Sequence, residues 1–537
     1  MRCSEYLGKA DLRRLPQGMA RSAAAAAVAL AFAATPAMAQ IAQADVTGGT
    51  VAGTVVNGIG EFKGIPFTAP PVGTLRWKAP RPVRPWSGVR QTVAFGPACM
   101  QEPRMANQMA PGVPLSEDCL FVDVWTPAKR PGEKLPVIAW IYGGGFTGGM
   151  TSAPLYDGAR FAQRGVVLVS ISYRVGVFGF LATPALSRES GHGSGNYGLL
   201  DQIAGLKWVK ANIAKFGGDP ARVTILGHSA GSFAVSMLAA SPRAKGLFRG
   251  VIAESGANFM PPQRSLWGGG AVETLQLAER NDAAWLKDLG AATLEQARAL
   301  PADKLNEAQS AKGAPKFWPA VEGYVIPADQ VLLWRQGRFN DTPILVGDVS
   351  DEAAAFGAHK TDPAAFETQV REDYGAHADA ILAAYPHATQ AQASRAATQL
   401  RSDTGFDWGQ FTWARLQAAH GRRGVWMYRF DRPSAANPNG SSHGQELAYV
   451  FGNLGIGGRP QPTAEDRALS DQMQGYWVNF AASGDPNGQG LPPWPAFTTA
   501  DPRIMRFGAD PGPAPVANQE RLKVLDAYYD WRRMGGS

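Results

Sequence analysis

The stretch Val223-Thr-Ile-Leu-Gly-His-Ser-Ala-Gly-Ser-Phe233 constrains this chain more than any other. Val223 to Leu226, mostly β-branched, reads as a buried strand, and the residues after Gly231 carry a helical pattern to about Ala240. A strand that passes into a helix through Gly227-His228-Ser229-Ala230-Gly231 turns so sharply that the serine side chain is thrust out at the top of a sheet. Glycine at 227 and 231 removes side chains that would collide with neighbouring turns. The new helix points unbonded N–H groups, that of Ala230 among them, at the space beside Ser229, where developing negative charge would be stabilised. A second match to the pattern, Gly440-Ser441-Ser442-His443-Gly444, follows the turn signal Asn437-Pro-Asn-Gly440. It has no strand before it and no immediate helix after it, so only Ser229 has the required context.

The rest of the chain supplies the sheet. Residues 47 to 62 alternate apolar and small residues with glycine turns and predict an N-terminal antiparallel ribbon. Val122 to Trp125, Val137 to Tyr142 and Val166 to Tyr173 predict strands, the last two continuous apolar runs of the kind buried on both faces. Asp201 to Phe216 sets Ile203, Leu206, Val209 and Ile213 at helical spacing with Lys207 and Lys210 among the polar positions, and stops at Gly217-Gly218-Asp-Pro220. Further strands are expected at Gly250 to Ala253, Ile344 to Val346 and Val425 to Phe430. Strands alternating with helices indicate an α/β fold around a sheet that is mostly parallel in its centre. The Ala-rich, polar portions near 270 to 310 and 360 to 422 read as helices and loops laid over that sheet. No linker, charge run or repeat divides the chain, so one large domain from 40 to 537 is expected.

Residues 1 to 39 read as an export signal: Arg21, the small apolar run Ala23 to Ala34, then Ala37-Met-Ala39 before Gln40. The run is too short to span a bilayer, and translation could equally begin at Met19. Without this segment the formal charge falls from +7 to +4, since five Lys/Arg and two Asp/Glu leave with it. No Lys/Arg cluster is present, so nucleic acid is not an expected partner. No later segment is apolar enough for a membrane span. Cys99 and Cys119 remain in the mature chain, and two thiols in an exported protein suggest one disulfide. Periplasm and medium are equally compatible with this, as are monomer and homodimer.

A serine needs an adjacent base to act as a nucleophile. Of the seven histidines, His443 lies in a loop after the strand 425 to 430, where the base of a strand–elbow–helix site belongs. Glu352 lies in the loop after Ile344 to Val346 and fits the acid that would orient it, with Asp348 and Asp351 as competitors the pattern leaves open. His228, next to the nucleophile, suggests tuning or packing. Tyr142-Gly143-Gly144-Gly145-Phe146 directly follows a core strand, and such a run lets bare backbone N–H groups reach a substrate oxygen. Neither a metal motif nor a dinucleotide fingerprint occurs, so no cofactor is expected. Trp408, Trp413 and Trp426 are candidates for a pocket, with core packing the plainer role for each.

With these residues assembled, the chain resembles the type-B carboxylesterases, the cholinesterase-like branch of the α/β-hydrolases, over nearly its whole mature length. Glu117-Asp-Cys-Leu-Phe-Val-Asp-Val-Trp125 is similar to one signature of that family, and Phe216-Gly-Gly-Asp-Pro220 through Gly231 to its active-site signature. Phe62-Lys-Gly-Ile-Pro-Phe67, Asn196-Tyr-Gly-Leu-Leu-Asp-Gln202, Tyr476-Trp-Val-Asn-Phe-Ala481 and Gly484-Asp-Pro-Asn487 match as well. The resemblance implies a large twisted sheet flanked by helices, with helical insertions at roughly 260 to 430 covering the site. It implies Ser229 as nucleophile, Glu352 as acid and His443 as base, and Gly144, Gly145 and Ala230 as oxyanion donors. A Cys99–Cys119 disulfide and ion pairs Arg76–Glu117 and Arg174–Asp201 also follow from it. The chain departs from the pattern at His228, where the family frequently has Glu, and at Ala353, where Gly is common. Its Cys99–Cys119 loop contains no Trp, which argues against a choline-ester specialist.

The expected activity is hydrolysis of small carboxylic esters through an acyl-enzyme. Two alternatives stand beside it: a non-catalytic binding module on the same fold, or the same chemistry on an amide, thioester or lactone.

Overall fold

The alternation of apolar strands with helices produces one eleven-stranded sheet in a computed structural model that describes residues 40–262, 272–357, 359–458 and 460–535. The expected export signal, residues 1 to 39, and part of the expected insertion region lie outside the described residues. In chain order the strands are β1 (Thr54–Val56), β2 (Ile59–Pro66), β3 (Phe121–Thr126), β4 (Leu135–Ile141), β5 (Val167–Ile171) and β6 (Gly218–His228). They continue with β7 (Gly250–Glu254), β8 (Ile344–Val349), β9 (Val425–Phe430), β10 (Arg503–Phe507) and β11 (Gly512–Pro515). Their spatial order is β11-β10-β9-β8-β7-β6-β4-β5-β3-β2-β1.

From β5 to β10 neighbouring strands run parallel. Antiparallel pairing is confined to the two flanks. The parallel centre follows from sequence: β5, β7 and β8 are buried at every position, which requires helices on both faces. Helix α1 (Tyr197–Asn212) begins four residues before the apolar repeat at Asp201, and a 3₁₀ turn, Ile213–Phe216, extends it to Gly217 at φ 77°. Gly205 lets α1 lie close on the sheet, since a Cβ there would stand 2.5 Å from Ile171 Cγ2. Helix α2 (Ala230–Ala240) is buried along its full length.

Two features differ from the sequence reading. The N-terminal ribbon is two hairpins: Gln43–Val46 pairs with Gly49–Ala52 outside the main sheet, and β1 with β2 on its edge. Strands β10 and β11 escape pattern reading because Arg503 and Arg506 interrupt the apolar residues of β10, and β11 carries Pro513 and Pro515, which suit an edge. Trp408, Trp413 and Trp426 are buried.

The flank before the site is fastened by charge. Arg76 grips Glu117 through Nε at 2.6 Å and Nη2 at 2.5 Å, and donates from Nη1 to Leu300 O at 2.7 Å, tying in the helical region after 275. Arg174 grips Asp201 through Nε and Nη2, both at 2.8 Å. Cys99 and Cys119 are disulfide-bonded, with Cα atoms 4.9 Å apart.

Candidate active site

The site is assembled from the C-terminal ends of β4, β6, β7 and β8 and the loop after β9. At the tip of β6, Ser229 sits at φ 56° and ψ −124°, a region that side-chain-bearing residues adopt only under constraint. The constraint is steric. A Cβ on Gly227 would lie 2.2 Å from Gly231 O, one on Gly231 would lie 2.0 Å from Ile141 O, and one on Gly143 would lie 2.8 Å from Ser229 Cβ. The Ser229 N–H donates to Glu254 O at 2.9 Å, anchoring the turn to β7. From Val223 to Ala240 every residue is buried except Ser229. The fold therefore presents one strained, partly exposed hydroxyl in an otherwise closed core.

The three carboxyl candidates go to three different partners, and Asp348 proves to lie within β8 itself, with Asp351 and Glu352 in the turn after it. Glu352 is fully buried and its Oε2 lies 2.5 Å from His443 Nδ1, while its Oε1 accepts from the Val349 N–H at 2.9 Å. Asp351 accepts from Asn437 Nδ2 at 3.0 Å and pairs with Arg395 at 3.1 Å. Asp348 faces Arg429 at 3.4 Å, and burial, opposed by Arg429, pushes its carboxyl up to about 7. The loops carrying Glu352 and His443 are stitched together: the Asp351 N–H donates to Ser441 O at 2.9 Å, and the Ser441 N–H donates to Ser350 Oγ at 2.9 Å. Thus Ser441 and Ser442, the decoy serines, serve in the loop that carries His443.

Burial pulls the His443 imidazolium down, but the charge and hydrogen bond of Glu352, with Glu446 behind it, outweigh burial and leave His443 above its usual range. Nε2 of His443 is buried and has no hydrogen-bond partner among the described residues. Phe406 and Phe356 stand 4.7 and 5.3 Å from the His443 ring, centre to centre, and parallel to one another. Phe356 is 46% exposed, an apolar surface beside the imidazole. Phe406 reaches it from a π-helical turn, Asp403–Asp407, at the start of α3 (Trp408–His420).

The glycine run follows β4 directly. Gly144 and Gly145 hold φ 122° and 63°, and the N–H of neither finds an acceptor among the described residues. Gln101 braces the far side of this loop, donating to Gly149 O and accepting from its N–H, both at 2.8 Å. Ala230 is the first residue of α2, so its N–H belongs to the unpaired set at a helix start.

Other members of the neighbourhood carry no motif. Gln410 on α3 donates to the carbonyls of Ala253, Gly256 and Gly347 at 3.1, 3.1 and 3.2 Å, locking the ends of β7 and β8 together. Glu254, Ser255 and Glu446 form a buried polar group beneath His443. The signals were slight: Glu254-Ser255-Gly256 closes a predicted strand, and Glu446 follows His443 by three residues. His228, expected to tune or pack, lies with its ring 4.6 Å from that of His443. His192, His377 and His387 make their contacts elsewhere, with Tyr324, Trp531 and Glu367. No group of three His, Cys, Asp or Glu that could hold a metal occurs among the described residues. Among them, no helix is long and apolar enough to cross a membrane.

The profile described as the Carboxylesterase family matches residues 37–524. The chain is 38% identical over 468 residues to a fumonisin B1 esterase of Sphingopyxis macrogoltabida, covering 84% of each chain. It is 36% identical over 469 residues to a para-nitrobenzyl esterase of Bacillus subtilis, covering 84% of this chain and 91% of that one. A solved PNB esterase superposes with TM-score 0.79 at 33% identity, over 90% of this chain and 99% of the other. A carboxylesterase of Geobacillus stearothermophilus does so with TM-score 0.78 at 31% identity, over the same shares, 90% and 99%.

Proposed function

The chain belongs to the carboxylesterase family and is a carboxylic ester hydrolase of the α/β-hydrolase fold, and from that premise we propose that Ser229, His443 and Glu352 carry the reaction. The observation that supports this reading best is the 2.5 Å contact of Glu352 with His443 Nδ1, together with the partly exposed Ser229 held in a strained turn. Ser229 Oγ attacks the ester carbonyl carbon and its proton passes to His443 Nε2. Glu352 fixes the tautomer that leaves Nε2 as acceptor and stabilises the imidazolium without taking the proton. The carbonyl oxygen gains negative charge within reach of the N–H groups of Gly144, Gly145 and Ala230, each donor contributing about 3 kcal/mol to the transition state. Collapse breaks the C–O bond to the alcohol, which leaves with the proton from His443. Water then repeats the sequence on the acyl-Ser229 ester and frees the acid.

Phe356 and Phe406 suit an apolar portion of the substrate close to the imidazole. Residues 1 to 39 act as an export signal in this account, and the disulfide accords with an oxidising compartment. The test is hydrolysis of p-nitrophenyl esters from acetate to decanoate by the mature protein and by Ser229→Ala. Turnover of the short esters is expected, with a loss of about 10⁴-fold or more in the variant. Undiminished turnover by Ser229→Ala would assign the nucleophile elsewhere, and negligible turnover by both would favour a binding module.

A further inference from the structure

The residue before the proposed nucleophile departs from the family pattern, and its surroundings are specific. His228 is 5% exposed, and its Nε2 stands 3.5 Å from Glu446 Oε1 with no hydrogen-bond partner among the described residues. On its other side is the His443 ring, 4.6 Å away and inclined by 39°. Gly444 leaves the space for this arrangement, since a Cβ there would stand 3.3 Å from His228 Cε1. Glu446 is completely buried: its Oε1 accepts from Ser255 Oγ at 3.0 Å, and its Oε2 has no partner among the described residues. The charged or titratable groups facing this pair are His443, Glu352, Glu254 and the Tyr428 phenol. Glu254 is itself held by Trp477 Nε1 at 2.7 Å. No lysine or arginine bonds Glu446 or Glu254 among the described residues.

Burial disfavours charge on both members. It draws the His228 imidazole well below its usual range, reinforced by His443, and pushes Glu446 up to about 7, reinforced by the carboxylate of Glu352.

We propose that His228 and Glu446 form a one-proton pair behind the triad, acting as positioning residues that set the basicity of His443. While the pair holds its proton, as a carboxylic acid facing a neutral imidazole, His443 has a neutral neighbour. Once the proton leaves, His443 faces a buried carboxylate, which favours the imidazolium that proton transfer from Ser229 creates. His228 keeps the acid form in place by accepting from it, so the imidazole delays the appearance of that carboxylate as pH rises. This rests on the reading of His443 as the base.

The experiment is the pH dependence of kcat/KM for p-nitrophenyl acetate in the parent, Glu446→Gln, His228→Phe, the double variant and His228→Glu, with thermal midpoints recorded in parallel. Glu446→Gln removes the carboxylate and is expected to move the acid limb to lower pH by about one unit. His228→Phe keeps a ring against His443 but removes the acceptor, so Glu446 ionises earlier and the limb moves up. In the Glu446→Gln background the same substitution leaves the limb where Glu446→Gln put it. His228→Glu, the residue frequent here in the family, moves the limb up and provides a variant the fold should accommodate. Limbs that stay put in all folded variants, or a His228→Phe shift that persists without Glu446, would overturn the pair. Activity surviving in Ser229→Ala would instead overturn the triad reading beneath it, so the two failures are distinguishable.

Discussion

Two charge systems flank the same sheet and are built on opposite plans. On one side, Arg76 meets Glu117 and Arg174 meets Asp201, one bidentate guanidinium to each carboxylate. On the other, behind the tips of β7, β8 and β9, six carboxyls (Glu254, Asp348, Glu352, Asp403, Asp407 and Glu446) are at most 1% exposed. Among the described residues, two arginines bond to this group: Arg429 to Asp348 and Asp407, and Arg521 to Asp403. The first arrangement fastens loops. The second leaves carboxyl groups uncompensated, so burial and mutual repulsion raise their proton affinities: Asp348 and Glu446 to about 7, Asp407 and Glu254 well above the usual range. Burial nudges Asp201 upward too, but Arg174 opposes it through charge and two kinds of hydrogen bond. A one-to-one pair resists titration near neutrality; an acid-rich cluster is a device for titrating there.

Breaking each side should therefore give different signatures. The largest effect is expected from His443→Gln, with kcat reduced by about 10⁴-fold and the thermal midpoint nearly unchanged. Steady-state kinetics beside a melting curve would check it. Arg174→Met should do the reverse: removing one partner strands the buried Asp201 and costs about 3–5 kcal/mol of stability. The acid limb of kcat/KM should stay in place in that variant. Denaturant titration and a pH profile measure the two halves of the claim.

A smaller effect concerns stability against pH. The folded-state carboxyl of Glu446 lies at about 7 against an ordinary value of 4.5, so between those limits the folded state binds more protons than the unfolded one. Stability due to this group is thus lost as pH rises through that window. Glu446→Gln should gain on the parent in thermal midpoint progressively from pH 4.5 to 7, and a gap constant with pH would contradict the uncompensated cluster. The smallest effect is expected from Phe356→Ala. It removes apolar surface beside the imidazole and should lower kcat/KM for long acyl chains by about fivefold, or about 1 kcal/mol, while acetate is little affected.

The contrast also explains what the sequence disclosed. The elbow was legible because its geometry demands particular residues: glycine at 227 and 231, an apolar strand before and a helix after, and α2 ends at Ala240 as its pattern predicts. The one-to-one ion pairs Arg76–Glu117 and Arg174–Asp201, carried over by family resemblance, occur as expected. The acid was not decided by pattern, because Asp348, Asp351 and Glu352 crowd together at the C-terminal end of β8. Only tertiary contacts, with Arg429, Asn437 and His443 in turn, separate them. Glu446, Ser255 and Gln410 were invisible for a related reason. Each acts through long-range contacts between strand ends, and a buried Glu, Ser or Gln carries no local periodicity to mark it. Strand β10 and the edge strand β11 were missed because arginines interrupt the apolar pattern of the one and prolines that of the other.

The central claim is that the strained, partly exposed Ser229 forms the covalent intermediate. The most direct measurement is peptide mass spectrometry of the mature protein after inactivation by an alkyl fluorophosphonate. The account predicts one phosphonyl group per inactivated molecule, located at Ser229 and absent from Ser229→Ala. Full inactivation with the label on another residue, or labelling of Ser229 that leaves ester hydrolysis intact, would contradict it.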